Sequence, residues 1–68
     1  MVINVQNIIK NLRTKIGISQ EELANRCGVT RQTINAIENN KYDPTLLLAF
    51  KLSNELGQSV DEIFTAEI

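Results

Sequence analysis

The stretch from Ser19 to Lys41, SQEELANRCGVTRQTINAIENNK, constrains the fold of this chain more than any other. Its apolar residues fall at Leu23, Cys27, Val29, Ile34 and Ile37, which gives each of two short helices an apolar stripe. Gly28 separates the two runs, where the chain must turn sharply. Such a turn usually needs a positive φ, which glycine adopts without a Cβ clash. Ala24 supplies the small side chain that lets a second helix cross the first closely. Both helix starts are marked. Ser19 and Glu22 make an S-x-x-E capping box, with Ile18 and Leu23 as its hydrophobic staple. Thr30 is the expected N-cap of the second helix, stapled by Val29 and Ile34. Asn39-Asn40 tolerates the left-handed conformation, so that helix should stop there.

The flanking sequence predicts further helices. Val5, Ile8, Ile9, Leu12 and Ile16 recur at helical spacing, so a first helix is expected over about 5–15, with Asn4 as N-cap and Gly17 as terminator. A fourth helix opens near Asp43-Pro44-Thr45, capped by either Asp43 or Thr45, and runs to about Leu56 before Gly57. Ser59 and Glu62 form another capping box, opening a short fifth helix from Val60 to Phe64. The segments Met1-Val2-Ile3 and Phe64–Ile68 are partly β-branched and can either pair as an antiparallel ribbon or fray. The expected class is all-α: one domain over residues 1–68, a compact bundle of five helices with the helix pair at about 19–39.

Two helices crossing at a tight turn is a layout that places the second helix in the major groove of DNA. The net charge of −1 argues superficially against such a partner, but its distribution reverses the argument. Residues 1–42 carry six cations against three carboxylates, whereas residues 43–68 carry one cation against five. A basic front and an acidic back orient the helix pair towards phosphates. The chain has no histidine and a single cysteine, so a metal site, histidine-based catalysis and an internal disulfide are not expected. No cofactor is expected either, and no catalytic constellation can be built. No segment is long enough to span a membrane and no signal-peptide pattern opens the chain, so a cytoplasmic protein is expected. Cys27 reads as inert core packing rather than a redox switch.

The segments I-S-Q-E-E-L-A at 18–24, C-G-V-T-R-Q-T-I at 27–34 and I-E-N-N-K-Y-D-P at 37–44 closely resemble the Cro/C1 repressor family of helix-turn-helix regulators, which includes the xenobiotic-response-element type. The resemblance runs from about Ile8 to Phe64 and implies a lambda-repressor-like DNA-binding domain. Asn40 stands where the family usually has glycine, and Cys27 where it usually has an aliphatic or small residue. The resemblance implies that the helix after Gly28 reads bases. Arg31 and Gln32 then lie on its exposed first turn, suited to guanine and adenine respectively, and Ala36, one turn on, could meet a thymine methyl. Thr33 and Asn35 could reach a base edge or a phosphate. Gln20, at the start of the preceding helix, is expected to hold a phosphate. Asn39, Asn40 and Lys41 are expected to clasp the backbone on the other side. Family members with an arginine and a glutamate at the positions of Arg13 and Glu38 pair them, which implies a structural ion pair here, with Arg13 turned partly to phosphate. Tyr42 is expected to pack against the first helix.

Leu46, Leu47 and Leu48 form an apolar run that one helix face cannot bury. With Leu46, Ala49, Phe50, Leu52 and Leu56 facing the core, Leu47 and Leu48 would point partly outwards as a homodimer interface. The leading expectation is a sequence-specific transcriptional regulator, a repressor that binds a palindromic site in double-stranded DNA as a homodimer. An alternative keeps the DNA contact but makes the chain an antitoxin or controller of a neighbouring gene system, with an unidentified protein partner. A further alternative is an interaction adaptor whose helix pair no longer reads DNA; the polar face of Arg31, Gln32 and Asn35 disfavours it.

Overall fold

The computed structural model describes residues 4–67. Over these residues the chain forms β1 (Asn4–Asn7), α1 (Ile9–Ile16), α2 (Gln20–Cys27), α3 (Arg31–Glu38), α4 (Leu46–Leu56), α5 (Val60–Ile63) and β2 (Phe64–Glu67). The caps behave as their chemistry requires. Ser19 Oγ accepts from the Glu22 amide at 3.0 Å and starts α2. Thr30 Oγ1 accepts from the Thr33 amide at 3.2 Å and starts α3. Gly28 takes φ +71° between them, so the turn lies in the left-handed region that a side chain would strain. After α3, Asn40 takes φ +58°, the role the family usually gives to glycine. Thr45, not Asp43, caps α4, accepting from the Leu48 amide at 3.2 Å.

Two of the expected elements are corrected. The first helix does not begin near residue 5. Asn4–Asn7 is extended and pairs antiparallel with Phe64–Glu67, in the register Val5 with Ala66 and Gln6 with Thr65. Helix α1 starts only at Ile9. Its first amide is capped from outside the helix by Oδ1 of Asn7, 3.1 Å away, so Asn4 has no capping role. The chain ends therefore do pair, but the first strand lies later than expected, and Met1–Ile3 fall outside the described residues. Phe64 belongs to β2 rather than to the fifth helix.

One core joins the helices: Ile9 of α1, Leu23, Ala24 and Cys27 of α2, Ile34 and Ile37 of α3, Leu48, Leu52 and Leu56 of α4, and Ile63 of α5 are all buried. Leu12, Ile18, Val29 and Phe64 close its edges. On α4 the buried stripe is 48, 49, 52 and 56, a helical repeat that puts Leu48 inside at 6% exposure. Leu48 is therefore a core residue, contrary to expectation. Leu46 and Phe50, expected inside, stand out at 71% and 58%, beside Leu47 at 64%. None of the helices among the described residues is long and apolar enough to cross a membrane.

Candidate nucleic-acid interface

Burial of Ile34 and Ile37 fixes the rotation of α3, and with it the outward face of the helix. Arg31, Gln32 and Asn35 are exposed there and line one shallow hollow. Arg31 and Gln32 have no ion pair or side-chain hydrogen bond among the described residues, so their donors and acceptors remain available. Ala36 is half-buried on the neighbouring side of the helix, beside Gln32, Thr33 and Tyr42. Thr33 is half-buried, with its hydroxyl 3.0 Å from that of Thr30. That bond ties it to the start of the helix.

Behind this face lies a connected polar network. Arg13 Nε is 2.8 Å from Oε2 of Glu38, and Arg13 Nη2 is 3.3 Å from Oε1. Arg13 Nη1 donates to the Ile18 carbonyl at 2.9 Å. The two side chains are only 13% and 4% exposed. The ion pair thus joins α1 to the end of α3, as the resemblance implied. All three guanidinium nitrogens are engaged within the fold, as a structural role requires. Gln20 Nε2 donates to Glu38 Oε1 at 3.0 Å and to Asn35 Oδ1 at 3.2 Å. Both its amide protons have partners within the fold. Asn39 Nδ2 turns back to the Asn35 carbonyl at 2.9 Å. Lys41 remains exposed at the far end of α3.

Asn7 belongs to this site although the sequence pattern gave it no role. Its Nδ2 donates to the Ile37 carbonyl at 2.8 Å and to Oδ1 of Asn40 at 3.2 Å. The strand thereby braces the end of the exposed helix. Tyr42 is 48% exposed and stands beside Thr33, Ala36 and Leu47, at the side of α3 and α4 rather than against α1 as expected. Cys27 is buried; desolvation, with Glu55 adding to it and Lys51 opposing, pushes its thiol pKa up.

An exposed helix with free polar side chains, mounted on a second helix by a glycine turn, is a helix-turn-helix. A family model described as helix-turn-helix matches residues 9–63. The chain belongs to the Cro/C1-type helix-turn-helix family. It is 46% identical over 63 residues to an uncharacterised HTH-type transcriptional regulator of Methanocaldococcus jannaschii, covering 93% of this chain and 96% of that one. Among solved structures it is similar to a restriction-modification controller protein of Aeromonas hydrophila, with TM-score 0.73, 31% identity, and coverage of 79% and 82% of the two chains. It is also similar to the N-terminal DNA-binding domain of SinR from Bacillus subtilis, with TM-score 0.70, 36% identity, and coverage of 76% and 77%. This helix-turn-helix protein is thus of a family of DNA-binding transcriptional regulators, not of enzymes.

Proposed function

We propose that the chain is a sequence-specific repressor that binds a palindromic operator as a homodimer, with α3 in the major groove. The observation that carries this reading is the face of Arg31, Gln32 and Asn35, exposed on a helix held rigid from behind. Arginine matches guanine O6 and N7, and glutamine matches adenine N6 and N7. Ala36 borders the same face and suits a thymine methyl. Lys41 and the backbone amides at the start of α2 anchor phosphates without reading sequence. Occlusion of a promoter needs no further domain, and such a role places the chain in the cytoplasm with its DNA.

The exposed trio Leu46, Leu47 and Phe50 supports self-association, because it is an apolar patch on a domain too small to read a long site alone. A second reading, control of a neighbouring gene system, is favoured by the similarity to the Aeromonas controller protein.

The test is a panel of single-base operator changes measured against Arg31→Ala and Gln32→Ala. Each variant should lose about 1–3 kcal/mol on the specific site and less on non-specific DNA. Arg31→Ala should relax preference for a guanine, and Gln32→Ala for an adenine. Uniform loss across the panel by both variants would make these residues anchors and defeat the assignment.

A further inference from the structure

The orientation of three side-chain amides around α3 is dictated by acceptor-only groups beside them. Glu38, paired with Arg13, presents a carboxylate, which accepts and does not donate. The Gln20 group 3.0 Å from Oε1 of Glu38 must therefore be its NH2. The second proton of that NH2 goes to Asn35, 3.2 Å away. On the other side, the Asn39 group 2.9 Å from the Asn35 backbone carbonyl must also be NH2, since a carbonyl only accepts. Its second proton reaches Asn35 at 3.3 Å. The Asn35 side chain thus faces two donors whose identities are fixed independently of it. The atom between them has to be its carbonyl oxygen, Oδ1. Its NH2 is left for the hollow shared with Arg31 and Gln32.

We infer that Asn35 meets DNA as a hydrogen-bond donor only, its acceptor saturated by Gln20 and Asn39. The inference rests on the reading of α3 as the base-reading helix. A free asparagine reads adenine by accepting from N6 while donating to N7. Asn35 in this setting lacks the first half of that pair. Its partner is an acceptor of the duplex: thymine O4, guanine O6 or N7, adenine N7, or a phosphate oxygen. An adenine met by Asn35 is held through N7 alone, its N6 amino group unused, and cytosine, whose major-groove edge offers only an amino donor, is disfavoured. Gln20 and Glu38 act as positioning residues. Arg13 holds Glu38, Glu38 turns Gln20, and Gln20 occupies the oxygen of Asn35.

The experiment is selection of bound duplexes from a random library by the wild type and by Asn35→Ala, Asn35→Asp and Gln20→Leu. Preferences that depend on Arg31 and Gln32 at other positions serve as the internal control that α3 is intact. If the partner is a base, Asn35→Ala flattens a roughly tenfold preference at one base pair, and removing the major-groove amino group of that pair (purine for adenine, 2-pyrimidinone for cytosine) weakens the wild type no more than it weakens Asn35→Ala. Gln20→Leu, which frees the oxygen of Asn35, then makes binding sensitive to that removal, and Asn35→Asp, which presents acceptors and no donor, loses the wild-type preference. If the partner is a phosphate, Asn35→Ala weakens all sequences alike and Asn35→Asp weakens them further without reordering them. Either pattern supports a donor-only Asn35. Removal of that amino group weakening the wild type more than Asn35→Ala would overturn it, as would an Asn35→Ala variant with unchanged affinity and preference. Enrichment of no sequence by the wild type would overturn the reading of α3, and this inference with it.

Discussion

Asn7 shows how much a single side chain can settle. Its oxygen caps α1 and its nitrogen holds the end of α3, so one amide ties a strand to two helices. Nothing in the local pattern marks the second of these ties, because the Ile37 carbonyl lies 30 positions away and only the tertiary fold brings it near. Cys27 was legible, since the helix pair needs an apolar residue there and cysteine packs as a small hydrophobe. At 1% exposure, with its pKa raised by burial, it should react with a thiol reagent far more slowly in the folded protein than in denaturant. Equal rates would mean that the α2–α3 junction opens freely. Cys27→Ser should cost about 1–3 kcal/mol in chemical denaturation, because it buries a hydroxyl without a partner. Cys27→Ala should cost less than that, since it leaves no polar group unsatisfied.

Among the elements, α2 and α3 were readable to the residue because their signals are local: caps, staples and a glycine turn within a few positions of each other. The first helix was misread for the converse reason. Val5 and Ile8 fit a helical period, but pairing with Phe64–Glu67 lies far off in sequence and wins for residues 4–7. On α4 a run of three leucines left the helical phase open, and only packing into the shared core assigns Leu48 to the inside. The Arg13–Glu38 pair is the main polar tie between elements. Arg13→Ala leaves Glu38 buried without its cation and should destabilise by about 3–5 kcal/mol, whereas a double replacement by well-packed apolar residues should cost far less. Chemical denaturation of the two singles and the double decides this; additive losses would show that the two residues act separately. The Ser59–Glu62 box makes a pH-dependent tie. Hydrogen bonds from the Ser59 amide and hydroxyl, at 2.9 Å and 2.8 Å, hold the Glu62 carboxyl below its ordinary pKa. Its contribution is therefore full above the unfolded-state pKa and is lost as pH falls through the folded-state value. Thermal melts should show wild type more stable than Glu62→Gln at neutral pH, with the gap closing in acid; a gap that widened in acid would reverse the sign.

The whole molecule is asymmetric in charge and in apolar surface, and the two asymmetries bear on assembly. Residues 1–42 hold most of the cations and helix α3, while residues 43–68 hold most of the carboxylates and the exposed Leu46, Leu47 and Phe50. Two copies that meet through this patch would present two α3 helices to one face of DNA, about 34 Å apart if they enter successive turns of the major groove. The patch, not Leu48, is where the association should be broken: Leu48→Glu would place a charge in the core and unfold the domain. Leu47→Glu with Phe50→Glu leaves the core stripe of α4 untouched. Sedimentation equilibrium at micromolar concentration should give a dimer for the wild type and a folded monomer for this variant. The variant should also bind a palindromic operator no better than an isolated half-site. Inserting half a helical turn between the half-sites should weaken wild-type binding in the same way, because the two helices would then face different sides of the duplex. A wild type that stays monomeric both free and on DNA would refute the assembly, and a variant that still dimerises would move the interface elsewhere on the surface.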